Sequence, residues 1–468
     1  MKSNIGMKRV ISILCIGVVL ILSTPVMAQQ QSEGMKSVNT LEDKIYGLSL
    51  VWSEIKYNFV HIDRLDFDVD SLYRKTMQEV LVTKNDREYY RLLERFLVKF
   101  NDAHTQLIDK PETGEDNTDY PKYGTKLLGD KFYFTAYKLC KDTDPRLLGA
   151  EIIEIEGLPA MEYAKKYVMP KVTASTTNFR RILAGTLLLN GEVYTYIKGK
   201  ARQLNGEIID FNIIRDGEAT RTADEKYLPE PFHGKNDKPV YCEWKDNIAI
   251  LTINRFFPES VSDEIDRAMD SIQAKNPAAL IIDLRNNGGG VTPVAHRLQM
   301  YLTKADSIRS FGAQTRTNLG YGRAQGNYKK EYEDYFTYKS YKTYPAEIIA
   351  RDKNIAPIRC PVAILIGPYS FSACEDFLIN IYEMPDRPLL IGEETAGSTG
   401  APLVIHLPHD AIARICTVRA LYPYSMKPFV GHGVLPDIEV KPTLDDCLKG
   451  TDTVMQKALD ILHKDTLR

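Results

Sequence analysis

The chain has 468 residues and nearly balanced charge, with 60 lysines and arginines against 62 aspartates and glutamates. This length predicts two or three domains, and the balance provides no positive field for a nucleic-acid partner. Apolar residues make up 44% and charged residues 26% of the sequence. This composition is typical of globular proteins and excludes a disordered, collagen-like or polytopic membrane chain.

The N-terminus predicts a secretory signal peptide over residues 1–28. Three cations precede an apolar run over residues 10–22, and Val26 and Ala28 supply the small side chains that signal peptidase reads. The run is shorter than the roughly 20 residues of a membrane span. We therefore expect an exported, periplasmic or extracellular protein with no stable membrane span after cleavage. An uncleaved anchor is the alternative.

Six cysteines follow the signal segment, at positions 140, 242, 360, 374, 416 and 447. Their spacing contains no CxxC pair and no Cys/His cluster of the zinc-binding type, which argues against a structural metal. Disulfides could form in an exported chain. Their pairing stays open, because six cysteines allow about 15 full pairings.

Residues 29–119 are predicted to form a helical N-terminal region. Apolar side chains recur every three or four positions from Ile45 to Phe59, which is helical spacing. A second helix is expected to begin at Asn85, with Glu88 three residues later as a capping box. The polar loop DAHT, residues 102–105, follows this helix.

Residues 120–235 alternate short β-like runs with turns and are predicted to form a strand-rich module. Within it, residues 149–159 resemble the strand and turn of bacterial PDZ domains, and residues 213–217 resemble their closing strand. A plain β-hairpin with a glycine turn is the alternative. The peptide-binding loop of PDZ domains has no clear counterpart, so peptide binding by this PDZ-like module stays open.

After a Pro-rich linker at 229–239, residues 236–468 change to an α/β pattern. Helix-like segments at 262–274 and 373–382 alternate with continuous apolar runs, which are typical of buried strands. These runs cover residues 248–253, 279–283, 362–366 and 389–391.

The first of two chemical motifs is DLRNNGGG, residues 283–290, at the end of an apolar strand. Its glycines allow a tight turn that points backbone N–H groups at a bound group. The motif lacks the spacing of a P-loop or a dinucleotide-binding fold, which favours an oxyanion hole. The alternative is a glycine turn with Arg285 paired to Asp283.

The second motif, GPYSFSACED, covers residues 367–376 and follows another apolar strand. Ser372 is predicted at a strand-to-helix turn, with its hydroxyl at the helix N-terminus, where the dipole favours negative charge. The alternative is that Ser372 only caps the helix, with Glu375 as its capping-box partner.

Together with GEETAG at 392–397 and GHGVLPD at 431–437, these motifs resemble the tail-specific, or C-terminal processing, family of serine peptidases. The resemblance implies an α/β core of the caseinolytic-protease and crotonase type behind a PDZ-like module. It makes Ser372 the nucleophile and the N–H groups of Gly289 and Ala373 the oxyanion donors. It implies no cofactor and no metal.

The lysine of the family's Ser-Lys dyad is missing. Ser398 stands in its place, and no lysine occurs between Asn354 and Met426. Because an unactivated serine is a poor nucleophile, another base is needed. The DAHT loop resembles the tricorn-like branch, in which a histidine from the N-terminal region replaces the lysine. His104 is therefore the predicted base, with His432 as a weaker alternative.

The third catalytic member stays open among Asp102, Glu393, Glu394 and a hydroxyl that orients His104. The leading hypothesis is an exported serine endopeptidase that cleaves a peptide or protein substrate through a Ser372 acyl-enzyme. One alternative is a catalytically silent peptide- or ligand-binding protein of the same fold, as in the interphotoreceptor retinoid-binding protein. Another is an esterase or amidase for small molecules. The oligomeric state is left open.

Overall fold

The computed structural model describes residues 38–111, 118–119, 121–140, 143–192, 194–215, 225–229 and 238–466. The predicted signal peptide lies outside these residues, and so does most of the Pro-rich linker. No helix in the described ranges is long and apolar enough to cross a membrane. The six cysteines of the described residues are all free thiols.

The described residues form the following helices and strands. The α-helices are α1 Leu41–Asn58, α2 Val69–Val80, α3 Asp86–Val98, α4 Ala160–Tyr163, α5 Thr177–Thr186, α6 Val261–Ala274, α7 Thr292–Tyr301, α8 Gly320–Gly326, α9 Glu333–Phe336, α10 Ala373–Tyr382, α11 Leu444–Lys449 and α12 Thr453–Thr466. The strands are β1 Gln106–Asp109, β2 Thr118–Asp119, β3 Tyr123–Leu128, β4 Lys131–Lys138, β5 Glu151–Ile155, β6 Leu158–Pro159, β7 Gly191–Glu192, β8 Tyr196–Arg202, β9 Ile208–Ile214, β10 Glu225–Tyr227, β11 Val240–Lys245, β12 Ile248–Ile253, β13 Ala279–Asp283, β14 Ser307–Arg309, β15 Gly312–Arg316, β16 Tyr341–Tyr344, β17 Ile348–Ala350, β18 Val362–Ile366, β19 Leu389–Gly392, β20 Pro402–His406, β21 Ile412–Cys416, β22 Arg419–Leu421 and β23 Ile438–Glu439.

The N-terminal region is helical, as its periodicity predicts. Helix α1 begins at Thr40, which forms a capping box with Asp43, and α3 begins at Asn85, whose side chain accepts a hydrogen bond from the Glu88 N–H. The Glu88 carboxylate bonds Lys84 rather than Asn85, so the predicted capping box at Asn85 is only half formed. Helix α2 was not predicted. The buried faces of the three helices share one apolar core with residues of β20 and β21.

The main sheet of the strand-rich module has the order β10-β4-β5-β8-β9, in which β3 pairs with β4 and β6 with β5, and β7 pairs separately with β2. The PDZ-like stretch at 149–159 forms β5 and β6, and the module has its own apolar core. Helix α5 was not predicted. It begins at Thr176, whose side chain accepts a hydrogen bond from the Phe179 N–H. This helix packs against β3 and reaches the site described below.

The central sheet has six strands in the order β11-β12-β13-β18-β19-β23, all parallel except β11 at the edge. The four predicted apolar runs form β12, β13, β18 and β19, and both predicted helices are present as α6 and α10. Strands β13 and β18 are neighbours, with Asp283 opposite Leu365. Because parallel strands end at the same edge, their following loops lie side by side. The DLRNNGGG and Ser372 loops therefore meet.

A three-stranded sheet, β1-β21-β20, connects the helical region to this core. Strand β1 follows the DAHT loop directly and pairs antiparallel with β21, with Gln106 opposite Arg414. The pairing fixes the loop between α3 and β1 against the catalytic core. It explains how a residue near the N-terminus reaches a site built from residues after position 280.

Candidate active site

Ser372 lies at the turn between β18 and α10, immediately before the first residue of the helix. Its backbone has φ 58° and ψ −125°, in the positive-φ range that non-glycine residues rarely adopt. Its side chain makes no capping hydrogen bond, so the interpretation of Ser372 as a simple helix cap is wrong. The strained turn instead leaves the half-buried hydroxyl free to face the DAHT loop.

His104 bridges two serine hydroxyls. Its Nε2 lies 3.1 Å from Ser372 Oγ, and its Nδ1 lies 2.7 Å from Ser398 Oγ. The ring stacks on Phe371 with centroids 4.6 Å apart and an interplanar angle of 9°. These contacts hold both ring nitrogens in hydrogen-bond geometry, so His104 meets the distance requirement for a general base on Ser372.

The His104 imidazole is buried, with 2% exposure. Burial, reinforced by the charge of Arg414, lowers the pKa of His104 well below 6.5. The ring is therefore neutral at pH 7. With the proton on Nδ1 donated to Ser398, the Nε2 lone pair faces the Ser372 hydroxyl.

Ser398 is positioned by Glu375, which sequence analysis considered only as a capping-box partner. The fully buried Glu375 carboxylate accepts hydrogen bonds from the N–H groups of Gly397 and Ser398, at 2.7 and 2.9 Å, and from the Thr395 hydroxyl. Burial raises the pKa of Glu375 to about 8. The hydrogen bonds lower this pKa, but burial has the larger effect. The Ser398 carbonyl also accepts a hydrogen bond from the Ser372 N–H. The sequence did contain one indication of a role for Ser398, because this residue occupies the position of the family's missing lysine.

None of the three predicted acids contacts the His104 ring. Asp102 Oδ1 accepts hydrogen bonds from the His104 backbone N–H and the Thr105 hydroxyl, at 3.0 and 2.9 Å, so it supports the loop rather than the imidazole. Burial raises the pKa of Asp102 to about 6. Glu394 bonds the Gly433 N–H instead. Burial raises the pKa of Glu393 to about 7, with Lys441 and Glu439 as its charged neighbours.

His432, the alternative base, lies on the surface, and its ring packs edge-on against Phe429 with centroids 6.1 Å apart. Among the described residues, the hydrogen-bond partner that the Ser372 hydroxyl finds is His104. The geometry therefore favours His104 over His432.

The two predicted oxyanion donors, the N–H groups of Ala373 and Gly289, differ in whether they already have a hydrogen-bond acceptor. Ala373 is the first residue of α10, where helical N–H groups are free of intrahelical partners. Gly289 packs tightly on the Ser372 turn, since a Cβ there would lie 2.7 Å from Ser372 Cβ. Its N–H, however, donates to Asn287 Oδ1 at 2.9 Å. In this conformation the Asn287 side chain already accepts the Gly289 hydrogen bond, so the role of Gly289 as an oxyanion donor stays a prediction.

The strand-rich module contacts the site through the start of α5. Ser175 Oγ accepts a hydrogen bond from the Ala103 N–H at 2.9 Å, and Thr176 Oγ donates to the Ala396 carbonyl at 3.3 Å. Phe179 packs against Phe371, with ring centroids 6.4 Å apart. These contacts link the module to the loops that carry His104 and Ser398.

A serine at a strained strand-to-helix turn, a neutral imidazole beside it and a free N–H at the helix start define a serine-hydrolase type of site. The comparisons with known proteins agree with this class. Residues 247–440 match the model of peptidase family S41. The chain thus carries a serine-type peptidase domain of family S41, which confirms the resemblance to tail-specific peptidases.

The carboxy-terminal processing protease CtpA of Bacillus subtilis is 24% identical over 229 residues, which cover 48% of this chain and 39% of that protein. The chain therefore matches less than half the length of this relative. The structure of mature CPAF superposes with a TM-score of 0.66 at 15% identity, covering 91% of this chain and 98% of that one. Its complex with lactacystin gives a TM-score of 0.64 with the same identity and coverage. These likenesses confirm the predicted fold class.

Proposed function

We propose that this protein is an exported serine endopeptidase that hydrolyses peptide bonds through a Ser372 acyl-enzyme. The observation that carries the proposal is the position of His104 between the hydroxyls of Ser372 and Ser398. A hydroxyl becomes a useful nucleophile at neutral pH only beside a base, and a buried neutral imidazole supplies that base. The family match supports a peptide or protein as the substrate.

Acylation begins when Ser372 Oγ attacks the scissile carbonyl and its proton moves to His104 Nε2. The imidazolium that forms keeps its Nδ1–H on Ser398 Oγ, and the oxyanion accepts a hydrogen bond from the Ala373 N–H at the positive end of α10. His104 then gives the proton to the leaving amine. Water attacks the ester in the second half-reaction, with His104 again as the base, and releases Ser372.

The third member in this proposal is the Ser398 hydroxyl rather than a carboxylate. A hydroxyl accepts the Nδ1 hydrogen bond and fixes the tautomer without adding a negative charge to the buried site. Glu375 does not contact His104 in this proposal. It positions the Ser398 hydroxyl, because it accepts hydrogen bonds from the backbone of Gly397 and Ser398. Stacking on Phe371 restricts rotation of the His104 ring.

The Gly289 N–H joins the oxyanion hole only if Asn287 Oδ1 releases it. A charged oxyanion is a stronger acceptor than a neutral amide oxygen. Formation of the oxyanion would therefore favour that exchange, and the oxyanion hole would then have two donors.

Labelling with a fluorophosphonate tests the proposal directly. The purified mature protein should be labelled on Ser372, as peptide mapping by mass spectrometry would show, and the Ser372→Ala protein should stay unlabelled. The unlabelled wild-type protein should also cleave peptides, and labelling should abolish that cleavage, because the label occupies the Ser372 hydroxyl. No labelling where a known serine peptidase reacts would favour the silent binding protein, and ester hydrolysis without peptide cleavage would favour the esterase.

Export is a separate part of the proposal and rests on the N-terminal sequence. Cleavage after Ala28 would leave Gln29 as the mature N-terminus. Intact-mass measurement of the protein recovered from the cell envelope or medium tests this. An intact segment from Met1 to Ala28 there would contradict it.

A further inference from the structure

A second cluster of reactive side chains includes Asp102 of the DAHT loop. His61, Asp102 and Cys416 come from three separate segments, and each is at most 4% exposed. One possible ligand atom of each lies within 4.8 Å of those of the other two. From this geometry we propose that the three side chains bind a zinc ion.

The separations suit a shared metal better than direct hydrogen bonds. His61 Nε2 lies 4.0 Å from Asp102 Oδ2, which is too long for a hydrogen bond, and 3.8 Å from Cys416 Sγ. Nitrogen, oxygen and sulfur ligands at ordinary zinc bond lengths lie about 3.4–3.6 Å apart on a tetrahedron. Small side-chain movements would therefore close the three ligands on one ion, with a water or a backbone carbonyl as the fourth.

The His61 ring gains most from a metal bond. Its Nδ1 is buried and has no hydrogen-bond partner among the described residues, and the partner of Nε2 is Cys416 Sγ at the long distance of 3.8 Å. An unsatisfied buried imidazole lowers the stability of the fold. A bond from Nε2 to zinc would replace its long contact with Cys416 Sγ and would leave the ring proton on Nδ1.

Three arginines near the cluster, Arg64, Arg414 and Arg419, oppose the approach of a cation. The negative charges of the ligands compensate the positive charge of the ion. When zinc binds, the Cys416 thiol loses its proton to solvent, and the resulting thiolate and the Asp102 carboxylate together carry two negative charges. These equal the charge of the ion. A thiolate with an imidazole selects zinc over magnesium or calcium, which prefer oxygen ligands.

Zinc at this position would stabilise the loop that carries His104. Asp102 holds the His104 N–H and the Thr105 hydroxyl through Oδ1. Its Oδ2, which would take the metal, has only a 3.5 Å contact from Ser175 Oγ and the distant His61. Metal binding therefore leaves the loop bonds intact and joins the loop to β21 and to the segment after α1. The inference does not depend on peptidase activity.

Cobalt(II), a spectroscopic substitute for zinc, tests the site in the mature full-length protein after treatment with a chelator. One equivalent of cobalt should give thiolate-to-metal absorption in the near ultraviolet and the visible bands of a tetrahedral ion. Zinc should displace the cobalt and raise the unfolding midpoint by at least about 2 °C. Cys416→Ser should remove the thiolate band, and His61→Ala should weaken binding at least about 10-fold.

Two controls make the result specific. Cys360→Ser changes a half-buried cysteine outside the cluster and should leave the cobalt spectrum unchanged. His104→Ala should also leave it unchanged, and loss of the spectrum there would place the ion in the active site and overturn the proposal. So would the absence of a thiolate band in the wild-type protein, or unchanged binding by folded Cys416→Ser protein. His61→Gln replaces His61→Ala if circular dichroism shows that the latter does not fold.

Discussion

The helical region and the strand-rich module both reach the Ser372 site, but through interfaces of different kinds. Helices α1 to α3 share a continuous apolar core with β20 and β21, and β1 adds backbone pairing to β21. The strand-rich module has a core of its own and meets the site through Ser175, Thr176 and Phe179. The first interface is an extended core of twenty buried residues, whereas the second combines a few polar contacts with a small apolar cluster of Ala103, Ala174, Phe179, Phe371 and Ala396.

The two interfaces correspond to two different contributions to the site. The helical region brings the reacting group His104, which therefore needs an interface that cannot shift by an ångström without loss of rate. The strand-rich module contributes only groups that support the backbone around His104 and Ser398. We expect the effects of substitutions to follow the same order, from the nucleophile to the module.

Ser372→Ala should give the largest effect, a fall in peptide turnover of at least about 10⁴-fold, because it removes the nucleophile on which both interfaces converge. Folding should be preserved, since the hydroxyl caps no helix. Steady-state cleavage of a fluorogenic peptide, with urea unfolding alongside, measures both. Residual turnover near the wild-type level would move the nucleophile elsewhere, with the buried Ser370 as the first position to examine.

His104→Ala should reduce kcat by about 10²- to 10⁴-fold, the usual contribution of a general base. Because the pKa of His104 lies well below 6.5, the wild-type rate should rise with pH through a limb that lies below pH 6.5 and should be level near pH 7. The variant should lack that limb. Normal turnover by His104→Ala would remove this residue from the mechanism and promote His432.

The same pKa shift predicts a change in stability with pH. Between the folded pKa of His104 and 6.5, the unfolded state binds more protons than the folded state, so stability is lost as pH falls below 6.5. Urea midpoints at pH 7.5 and pH 5 should therefore fall more in the wild type than in His104→Ala. Equal falls in the two proteins would mean that His104 is not buried in the neutral form.

Ser398→Ala should lower kcat by about 10- to 100-fold with a small change in KM. A hydrogen bond to a charged group contributes roughly 1.5–3 kcal/mol, and His104 is charged only during the reaction. The limb of the pH profile should also move, because Nδ1 loses its partner. Thr186→Ala, at the exposed end of α5, is a control that should change neither quantity. An unchanged profile in Ser398→Ala would exclude the hydroxyl as the third member.

Ser175→Ala should give the smallest effect, a fall in kcat of about 2- to 10-fold, from the loss of the hydrogen bond to the Ala103 N–H and of the long contact with Asp102 Oδ2. The pH profile should keep its position, because the His104 ring keeps both partners. If Ser175→Ala instead loses as much activity as His104→Ala, the module contributes to the chemistry and the distinction between the two interfaces fails.

The fold was predictable where the signal is local. Four buried strands, α6 and α10 were predicted from continuous or periodic apolar runs, and Ser372 was placed at its turn. Helix α5 was missed because its weakly apolar sequence lies among β-like runs. The sequence could not show whether the Gly289 N–H is available to an oxyanion, since that depends on where the Asn287 side chain lies.

The sequence alone determined the order of elements, the motifs of a family S41 domain and the absence of the usual lysine. Each of these is a pattern of neighbouring residues. Only the tertiary structure decided that Ser398 rather than an acid meets His104, and that His61, Asp102 and Cys416 converge although their spacing resembles no zinc motif. These contacts join residues up to 355 positions apart. They depend on how β1 pairs with β21, and no local pattern encodes that pairing.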